Sequence, residues 1–278
     1  MSFFPTGSFN PLPDHFPLLY LIDTRWPDQA EADGFVLEEY SLTDDRLNTD
    51  LHGAKTLAVL KDIVPQLPPT LVTLVSTDRK IELKQFQSPG NIAEAIEAIR
   101  FYAPTRGSVV MINVSVSGQS VLADEHIAKQ LTRLGRDGCV VIVSAGNTIN
   151  LLNTSSVGII VAAGYTLSEE GTADTFPNSA FGPNITCYLP GKIQTSVGEF
   201  LRSSAAAAQL TGVVLVMQNY ARSKGRFLRA GELKKMFRTT GKLLHIKTPE
   251  GPTLPGRSPN WISLSTAIDR VFARISKQ

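Results

Sequence analysis

Residues 108–146 read SVVMINVSVSGQSVLADEHIAKQLTRLGRDGCVVIVSAG, which predicts a strand, a helix and a second strand. The two strands are the continuous apolar runs at 108–117 and 138–146. Runs of this length are typical of parallel strands that are covered on both faces. Residues 122–138 between them carry apolar residues at helical spacing, and Gly135 and Gly138 are expected to end that helix. This stretch therefore predicts one unit of a parallel α/β sheet.

The same alternation of apolar runs and helical patterns continues on both sides of this unit. Further buried strands are predicted at 17–23, 70–76 and 157–164, and further helices at 52–67, 91–103 and 203–221. Residues 165–200 are instead rich in turn signals. The pattern predicts an α/β fold with a doubly wound, mostly parallel sheet and helices on both faces. Ligands bind such a sheet at the carboxyl ends of its strands, so we expect the functional residues there.

Length and composition indicate a globular protein with one large domain. Hydrophobic residues make up 42% of the 278 residues and charged residues 19%, and the 21 glycines and 17 prolines are scattered. These values exclude collagen-like and disordered classes. We predict one folded domain at 17–278, preceded by an N-terminal extension at 1–16. The formal net charge of +2 is too small to indicate a nucleic-acid or membrane partner.

The N-terminus and the cysteines predict a cytoplasmic protein. The first residues, MSFFPTGSFNPLP, have no basic region and are interrupted by prolines, unlike a signal peptide. No apolar run approaches the length of a membrane span, about 20 residues. Cys139 and Cys187 lie beside apolar runs, where reduced, buried thiols are expected.

Several common site motifs are missing from the sequence or lack their usual context. The sequence contains no G-x-S-x-G, Cys-x-x-Cys or H-E-x-x-H motif, which are the signals of α/β-hydrolases, zinc ribbons and zincins. The stretch GPTLPGRS at 251–258 resembles a phosphate-binding loop, but its prolines remove backbone donors. Basic side chains cluster at 222–242, which indicates either a solvated face or a docking face for an acidic partner.

Three residues of catalytic type lie where strand ends and helix starts would present them. Asp23 ends a predicted strand, His52 opens a predicted helix, and Ser204 opens the Ala-rich helix. Each has an ordinary alternative: a turn residue for the aspartate, a structural histidine, and a helix N-cap for the serine. Their order along the chain is one of three in which the acid, base and nucleophile of serine proteases recur. The combination favours a serine hydrolase site.

The chain resembles the subtilases, the subtilisin-like serine proteases, over about residues 17–270. The matching segments follow the family's order: LIDTR (21–25), HGAKTLAVL (52–60), MINVSVSG (111–118), VIVSAGN (141–147), IIVAAGYT (159–166), FPNSAFGPNITCYLPG (176–191), RSSAAAAQLTG (202–212) and NWISLSTAID (260–269). Each motif is short, but their shared order is specific. The resemblance implies a subtilisin-like fold and a serine endopeptidase that hydrolyses peptide bonds.

The resemblance also implies a role for each candidate residue. Ser204 would attack the scissile carbonyl, His52 would transfer its proton, and Asp23 would orient the imidazole. The register follows from the last glycine of the nucleophile motif, which lies eight positions after the serine. Gly212 stands at that distance from Ser204, whereas Ser203 has no glycine at that distance.

An oxyanion site and a substrate groove follow from the same resemblance. The Asn147 side chain and the Ser204 backbone N–H would bind the oxyanion, although Asn147 could instead be a turn residue. A peptide or protein substrate would pair as an added strand with Ser115, Val116, Ser117 and Gly118. The floor of the first specificity pocket would be Ser144, Ala145 and Gly146.

The nucleophile motif departs from the family pattern at Arg202, where the family has glycine. A long cation two residues before Ser204 would intrude on the cleft or favour acidic substrates, so Arg202 is a candidate gating residue. The rival interpretation is a catalytically silent module that keeps the fold and binds peptides.

Restraint of the activity is expected because only about 17 residues precede the first predicted strand, too few for a folded prodomain. A regulatory protein partner or residues 1–16 would supply it, with a packed or disordered tail as the alternative for 1–16. No cofactor or metal is indicated. The family often binds calcium at loops, but no run of carboxylates here has ligand spacing.

Overall fold

The computed structural model describes residues 12–23, 26, 33–39, 51–76, 89–102, 110–115, 118–148, 158–169, 172–249, 251, 253–260 and 263–269. The strands are β1 (Leu18–Asp23), β2 (Val36–Glu39), β3 (Val72–Ser76), β4 (Val110–Val114), β5 (Val140–Ser144), β6 (Ile159–Leu167), β7 (Ala173–Thr175), β8 (Cys187–Pro190), β9 (Lys192–Thr195), β10 (Gly198–Leu201), β11 (Lys242–Lys247) and β12 (Thr253–Ser258). The α-helices are α1 (His52–Ile63), α2 (Pro89–Tyr102), α3 (Gly118–Ala123), α4 (Glu125–Arg136), α5 (Arg202–Ser223) and α6 (Ala230–Thr240). A further helix spans 263–269.

The described strands form one large sheet and a separate hairpin of β9 and β10. The large sheet has the order β12-β11-β7-β6-β5-β4-β1-β3-β2, with β8 also paired to β6. All pairs from β6 to β2 are parallel. The chain passes from β1 to β3 on one side and returns to β4 on the other, so the winding reverses at β1. The predicted doubly wound, mostly parallel α/β sheet is therefore confirmed.

Each central strand contributes side chains to two cores because successive residues point to opposite faces. Leu19 and Leu21 of β1 are fully buried in the core that contains residues of α1 and α5. Tyr20 and Ile22 are buried in the opposite core, which contains residues of α2 and α4. Burial on both faces explains why these strands are continuous apolar runs rather than alternating ones.

Helix α5 is buried along residues 203–219. Its small residues allow this burial because a backbone without large side chains packs closely on its neighbours. At Gly212, an added Cβ would lie 2.8 Å from Cγ2 of Ile63 in α1, far closer than ordinary contact. Gly212 therefore sets a close approach between α1 and α5, the helices that carry His52 and Ser204.

The sequence pattern missed most of the short strands outside the central alternation. The segment 165–200, assigned to turns, contains the end of β6 together with β7 to β10. The segment 251–258 is largely β12 rather than a phosphate-binding loop. β12 lies at the edge of the sheet, where Pro255 is tolerated because an edge strand has one unpaired side.

The described end of the N-terminal extension packs on α5, away from Ser204. Asn219 of α5 donates to the Leu12 carbonyl at 2.6 Å and accepts from the Leu12 N–H at 3.1 Å. Phe16 is buried in the same core as α5. At the helical rise, Asn219 lies about 22 Å along α5 from Ser204. Residues 1–11 lie outside the described residues.

Candidate active site

The candidate site lies at the carboxyl ends of the central parallel strands, beside the strand where the winding reverses. Asp23 is the last residue of β1 and Ser144 the last of β5. Ser115 follows directly after β4. Parallel strands end at one edge of a sheet, so these polar residues are gathered there while the strands behind them are apolar.

The buried carboxylate of Asp23 hydrogen-bonds two side chains of α1. Asp23 continues the alternation of Leu19 and Leu21, which directs its side chain to the face that α1 covers. Its Oδ1 lies 2.5 Å from His52 Nδ1, and Thr56 Oγ1 donates to Oδ2 at 2.7 Å. Asp23 and Thr56 are fully buried, whereas the His52 side chain is 21% exposed. The imidazole is thus held by the buried Asp23 carboxylate through Nδ1, while part of the ring stays accessible to solvent.

A phenyl ring packs against the other side of the imidazole. The ring centroids of Phe200 and His52 lie 5.0 Å apart, with the planes at 88°, an edge-to-face arrangement that is favourable for aromatic pairs. Phe200 belongs to β10 and is buried with Val59, Ala205 and Ala208. The β9–β10 hairpin therefore holds the imidazole on the side that leads to the start of α5.

The Ser204 hydroxyl donates to the Ser115 main-chain carbonyl at 2.9 Å. A hydroxyl has one hydrogen, so this bond directs it to the strand end rather than to the imidazole. The Ser204 N–H belongs to the first turn of α5, where backbone donors have no partner inside the helix. Among the described residues it has no hydrogen-bond acceptor. Within the described part of the chain, Ser204 thus has an unused backbone donor beside its hydroxyl.

The Ser115 carbonyl is part of a buried hydrogen-bond network that joins β4, β5 and α5. Ser144 Oγ also donates to this carbonyl, at 3.1 Å. Ser115 Oγ donates to Asn113 Oδ1 at 2.7 Å, and Asn113 Nδ2 donates to Thr211 Oγ1 at 2.8 Å. Because Thr211 lies in α5, one asparagine fixes the strand end against the helix that carries Ser204.

Asn147, which follows β5, contacts the residue before Ser204. Its Oδ1 accepts from Ser203 Oγ at 2.8 Å and from the Ser203 N–H at 3.4 Å. The Asn147 residue is exposed, whereas Ser203 is fully buried. The structure therefore places the Asn147 amide at the N-terminus of α5.

Arg202 starts α5 in a left-handed backbone conformation, with φ of 69°. Its N–H donates to the Gly191 carbonyl at 2.6 Å. A Cβ on Gly164 would lie 3.2 Å from the Arg202 carbonyl carbon, so the surrounding backbone is tightly packed. The Arg202 side chain is exposed, and it has no ion pair or side-chain hydrogen bond to the described residues.

Only the first and last residues of the segment predicted to pair with substrate are described in the structure. β4 ends at Val114, and Gly118 begins α3, so Gly118 is helical rather than extended. Val116 and Ser117 lie outside the described residues. Ser115 alone of the four predicted strand residues therefore has a described place beside the cleft.

The predicted pocket floor continues directly from β5. The Ala145 N–H donates to the Ala162 carbonyl at 2.8 Å, and the Gly146 carbonyl accepts from the Ala180 N–H at 3.0 Å. The φ of Gly146 is 99°, a value that favours glycine. These backbone bonds fix the segment that leads from Ser144 to Asn147.

The two cysteines are buried and unpaired. Burial raises the pKa of the Cys139 thiol to about 11, with a smaller contribution from the Asp137 carboxylate. Burial also raises the pKa of Cys187 well above its usual range. A thiol that stays protonated is a poor nucleophile, so neither cysteine competes with Ser204 for a catalytic role.

Among the described residues, no three His, Cys, Asp or Glu side chains come together in a way that could hold a metal ion. Within the same part of the chain, no helix combines the length and hydropathy of a membrane span.

Several solved structures share this fold over nearly the whole chain. The prenylagaramide maturation protease PagA matches 93% of this chain and 95% of its own, at 16% identity and a TM-score of 0.65. The chain has the fold of the subtilisin-like proteases. The protease domain of PatA matches 96% of this chain and 98% of its own, at 13% identity and a TM-score of 0.65. A cold adapted subtilisin-like serine proteinase matches 90% of this chain and 92% of its own, at 14% identity and a TM-score of 0.64.

No protein-family model and no curated protein sequence matches the chain. A likeness to the subtilisin-like fold at these identities establishes architecture, and function has to be argued from the site.

Sequence reasoning missed Thr56 and Phe200 at the candidate site, and it missed the hydrogen bond of Ser203 to Asn147. Thr56 lies four positions after His52, a spacing that puts both on one helix face, so the pattern contained a usable signal. Phe200 contacts His52 across 148 positions, and no local pattern reports such a contact.

Proposed function

We propose that the protein is a serine endopeptidase that hydrolyses peptide bonds through Asp23, His52 and Ser204. The observation that carries this proposal is the 2.5 Å bond between Asp23 Oδ1 and His52 Nδ1, made by a fully buried carboxylate at the end of β1. A carboxylate so placed fixes the imidazole tautomer, with Nδ1 protonated and Nε2 as the base. The subtilisin-like fold supports the same assignment by analogy.

The proposed reaction begins with a rotation of the Ser204 side chain. The hydroxyl leaves the Ser115 carbonyl, donates to His52 Nε2 and attacks the scissile carbonyl, while the imidazole takes the proton. The imidazolium, stabilised by Asp23, then protonates the leaving amine and an acyl-enzyme forms. Water attacks this ester with His52 again as base, which releases the acid product and restores Ser204.

The oxyanion of each tetrahedral intermediate would be bound by two donors. The free Ser204 N–H supplies one, at the positive end of the α5 dipole. The Asn147 side-chain amide supplies the other, since its oxygen already faces Ser203. Such donors stabilise charge that develops in the transition state more than they stabilise the bound substrate.

The proposed substrates are peptide or protein chains. A substrate strand would lie along the segment that starts at Ser115, and the side chain before the scissile bond would lie over Ser144, Ala145 and Gly146. Small residues at this floor leave room for a large side chain. PagA, which shares the fold, is itself described as a maturation protease.

We further propose that activity is restrained at Arg202 and released when an acidic substrate segment or a regulatory partner engages the guanidinium. Arg202 is exposed, and its cation lies at a helix N-terminus, where positive charge is unfavourable. An incoming carboxylate would relieve that unfavourable charge.

The proposed site of action is the cytoplasm, where both buried thiols would stay reduced.

A fluorophosphonate probe, which reacts only with an activated serine, tests the catalytic proposal. The parent and Ser203→Ala should be labelled, and Ser204→Ala should be neither labelled nor active, with a loss of about 10⁶-fold in turnover. Labelling of Ser204→Ala with loss in Ser203→Ala would show that the register is wrong. A folded parent that is never labelled, even as Arg202→Gly, would instead establish the silent peptide-binding module.

Casein hydrolysis without any partner tests the restraint. We expect Arg202→Gly to be clearly more active than the parent, because the substitution removes the cation and leaves the triad unchanged. A parent that is already strongly active, or a folded Arg202→Gly variant that gains nothing, would contradict the restraint and leave the catalytic proposal standing.

A further inference from the structure

We propose that the protein binds a free α-amino acid with an apolar side chain in a pocket at the far end of α5 from Ser204. This distal pocket has a volume of about 350 Å³, and the residues that line it include Asp14, Phe16, Leu71, Arg222 and Phe227. Its volume lies at the low end of the range for small-molecule sites, about 300–1,000 Å³. The inference goes beyond the proposed function and does not depend on it.

The distal pocket and the candidate active site lie at opposite edges of the central sheet. Leu18, the first residue of β1, lines the pocket, whereas Asp23 is the last residue of that strand. Along α5, Arg222 follows Ser204 by 18 positions, which is about 27 Å at the helical rise. A ligand in the distal pocket therefore does not occupy the proposed substrate cleft.

The guanidinium of Arg222 is held at the distal pocket by an aromatic ring. Its Cζ lies 4.9 Å from the centroid of the Phe227 ring, which is a cation–π contact. Among the described residues, Arg222 has no carboxylate partner. The planar guanidinium matches the two oxygens of a carboxylate, so the pocket contains a positioned and unused group for a carboxylate.

A carboxylate of the protein lines the same pocket, and α5 also sets its position. Asp14 belongs to the 3₁₀ turn Pro13–His15. The residue before this turn, Leu12, is bound through its N–H and its carbonyl to the side chain of the buried Asn219. Asn219 precedes Arg222 by about one turn of α5, so one helix places both charges. Within the described part of the chain, Asp14 has no cationic partner either.

The surface between the two charges is largely apolar. Phe16 is buried in the core that contains α5, and Leu71 packs against the same core. Opposite charges that share a pocket without pairing suit a ligand that carries both signs. An ammonium beside Asp14, a carboxylate beside Arg222 and an apolar group over Phe16 are the three parts of an α-amino acid such as leucine.

Isothermal titration of the full chain with L-leucine tests the distal pocket. A free amino acid has no peptide bond, so the result does not depend on peptidase activity. We expect saturable binding of one L-leucine per chain. Glycine, N-acetyl-L-leucine and L-leucinamide should each bind about 10-fold more weakly or worse, because they lack the side chain, the ammonium or the carboxylate.

Two substitutions assign each charge of the ligand to its partner. Arg222→Gln should bind L-leucine and L-leucinamide with affinities within about twofold, and Asp14→Asn should do the same for L-leucine and N-acetyl-L-leucine. Both residues are exposed, and circular dichroism checks that the variants are folded. Arg238→Gln, which changes an exposed arginine of α6 outside the pocket, is the matched control and should bind like the parent.

A parent that shows no saturable binding of L-leucine would overturn the proposal. It would equally be overturned if both variants discriminated among the ligands as the parent does, or if glycine bound as tightly as L-leucine. A parent that binds L-leucine as described but is never labelled by the fluorophosphonate probe would refute the peptidase function alone.

Discussion

Replacement of Thr56 by valine removes one hydrogen bond to a buried charge and little else. The Thr56 hydroxyl donates to Asp23 Oδ2 at 2.7 Å, and both residues are fully buried. Valine has nearly the same shape, so the packing between α1 and β1 should persist. A hydrogen bond to a charged group contributes about 1.5–3 kcal/mol. We therefore expect the free energy of unfolding of Thr56→Val at pH 7 to fall by about 2 kcal/mol.

The same substitution should reduce peptide hydrolysis because the carboxylate that orients His52 loses one of its supports. We expect kcat to fall about 10-fold, the equivalent of about 1.4 kcal/mol of transition-state stabilisation, with KM little changed. Urea unfolding and steady-state kinetics measure the two effects, and Thr56→Ser, which keeps the hydroxyl, is the matched control. A Thr56→Val protein as stable as the parent would refute the argument that this hydroxyl stabilises a buried carboxylate charge.

Three other perturbations test separate parts of the structure. Asn147→Ala should lower kcat by about 10²- to 10³-fold with little effect on KM; an unchanged rate would remove Asn147 from the mechanism. Gly212→Ala, whose Cβ would lie 2.8 Å from Ile63, should destabilise the protein by about 1–3 kcal/mol in urea unfolding; a variant as stable as the parent would contradict the close approach of α1 and α5. Burial raises the pKa of Cys139 from 9.0 to about 11, so between pH 9 and 11 the unfolded chain loses this proton more readily than the folded protein, and Cys139 should contribute about 2 kcal/mol to the stability lost over that interval. Cys139→Ala should lose less over that interval; equal losses would show that another group titrates.

The central sheet was predictable because its strands are buried on both faces and so read as uninterrupted apolar runs. β11 also carried a signal, since its buried residues Leu244 and Ile246 alternate with exposed ones. β2 carried little signal, because a four-residue strand that ends in two glutamates does not resemble a buried run. β12 contains Pro255, which argues against a strand unless its edge position is known. Whether a strand lies at the edge of the sheet, where a proline is tolerated, depends on the tertiary fold and not on the local sequence.

In the candidate site too, some residues were predictable from the local sequence, whereas contacts between distant residues were not. Asp23 and His52 were identifiable from their places at a strand end and a helix start, and the structure brings them into direct contact. The bond of Ser204 to the Ser115 carbonyl joins residues that are 89 positions apart. The substrate-pairing role predicted for residues 115–118 stays a prediction, and Gly118, the last of them, is the first residue of α3. Helix onset there depends on the packing of α3, which no short motif encodes.

Arg202 shows how the chain keeps the backbone of a glycine position without the glycine. The left-handed conformation costs about 1–2 kcal/mol for a residue with a side chain, yet Arg202 retains a φ of 69°. Its N–H is bound to Gly191, and its carbonyl carbon is packed where Gly164 has no side chain. The two contacts, to Gly191 and to Gly164, hold the backbone of residue 202 in the left-handed conformation. The helix α5 therefore begins at Arg202 in this conformation, and the arginine side chain is exposed. Strain that is kept at such a position is typical of a functional side chain, which favours a role for the guanidinium toward substrate over a role in the fold.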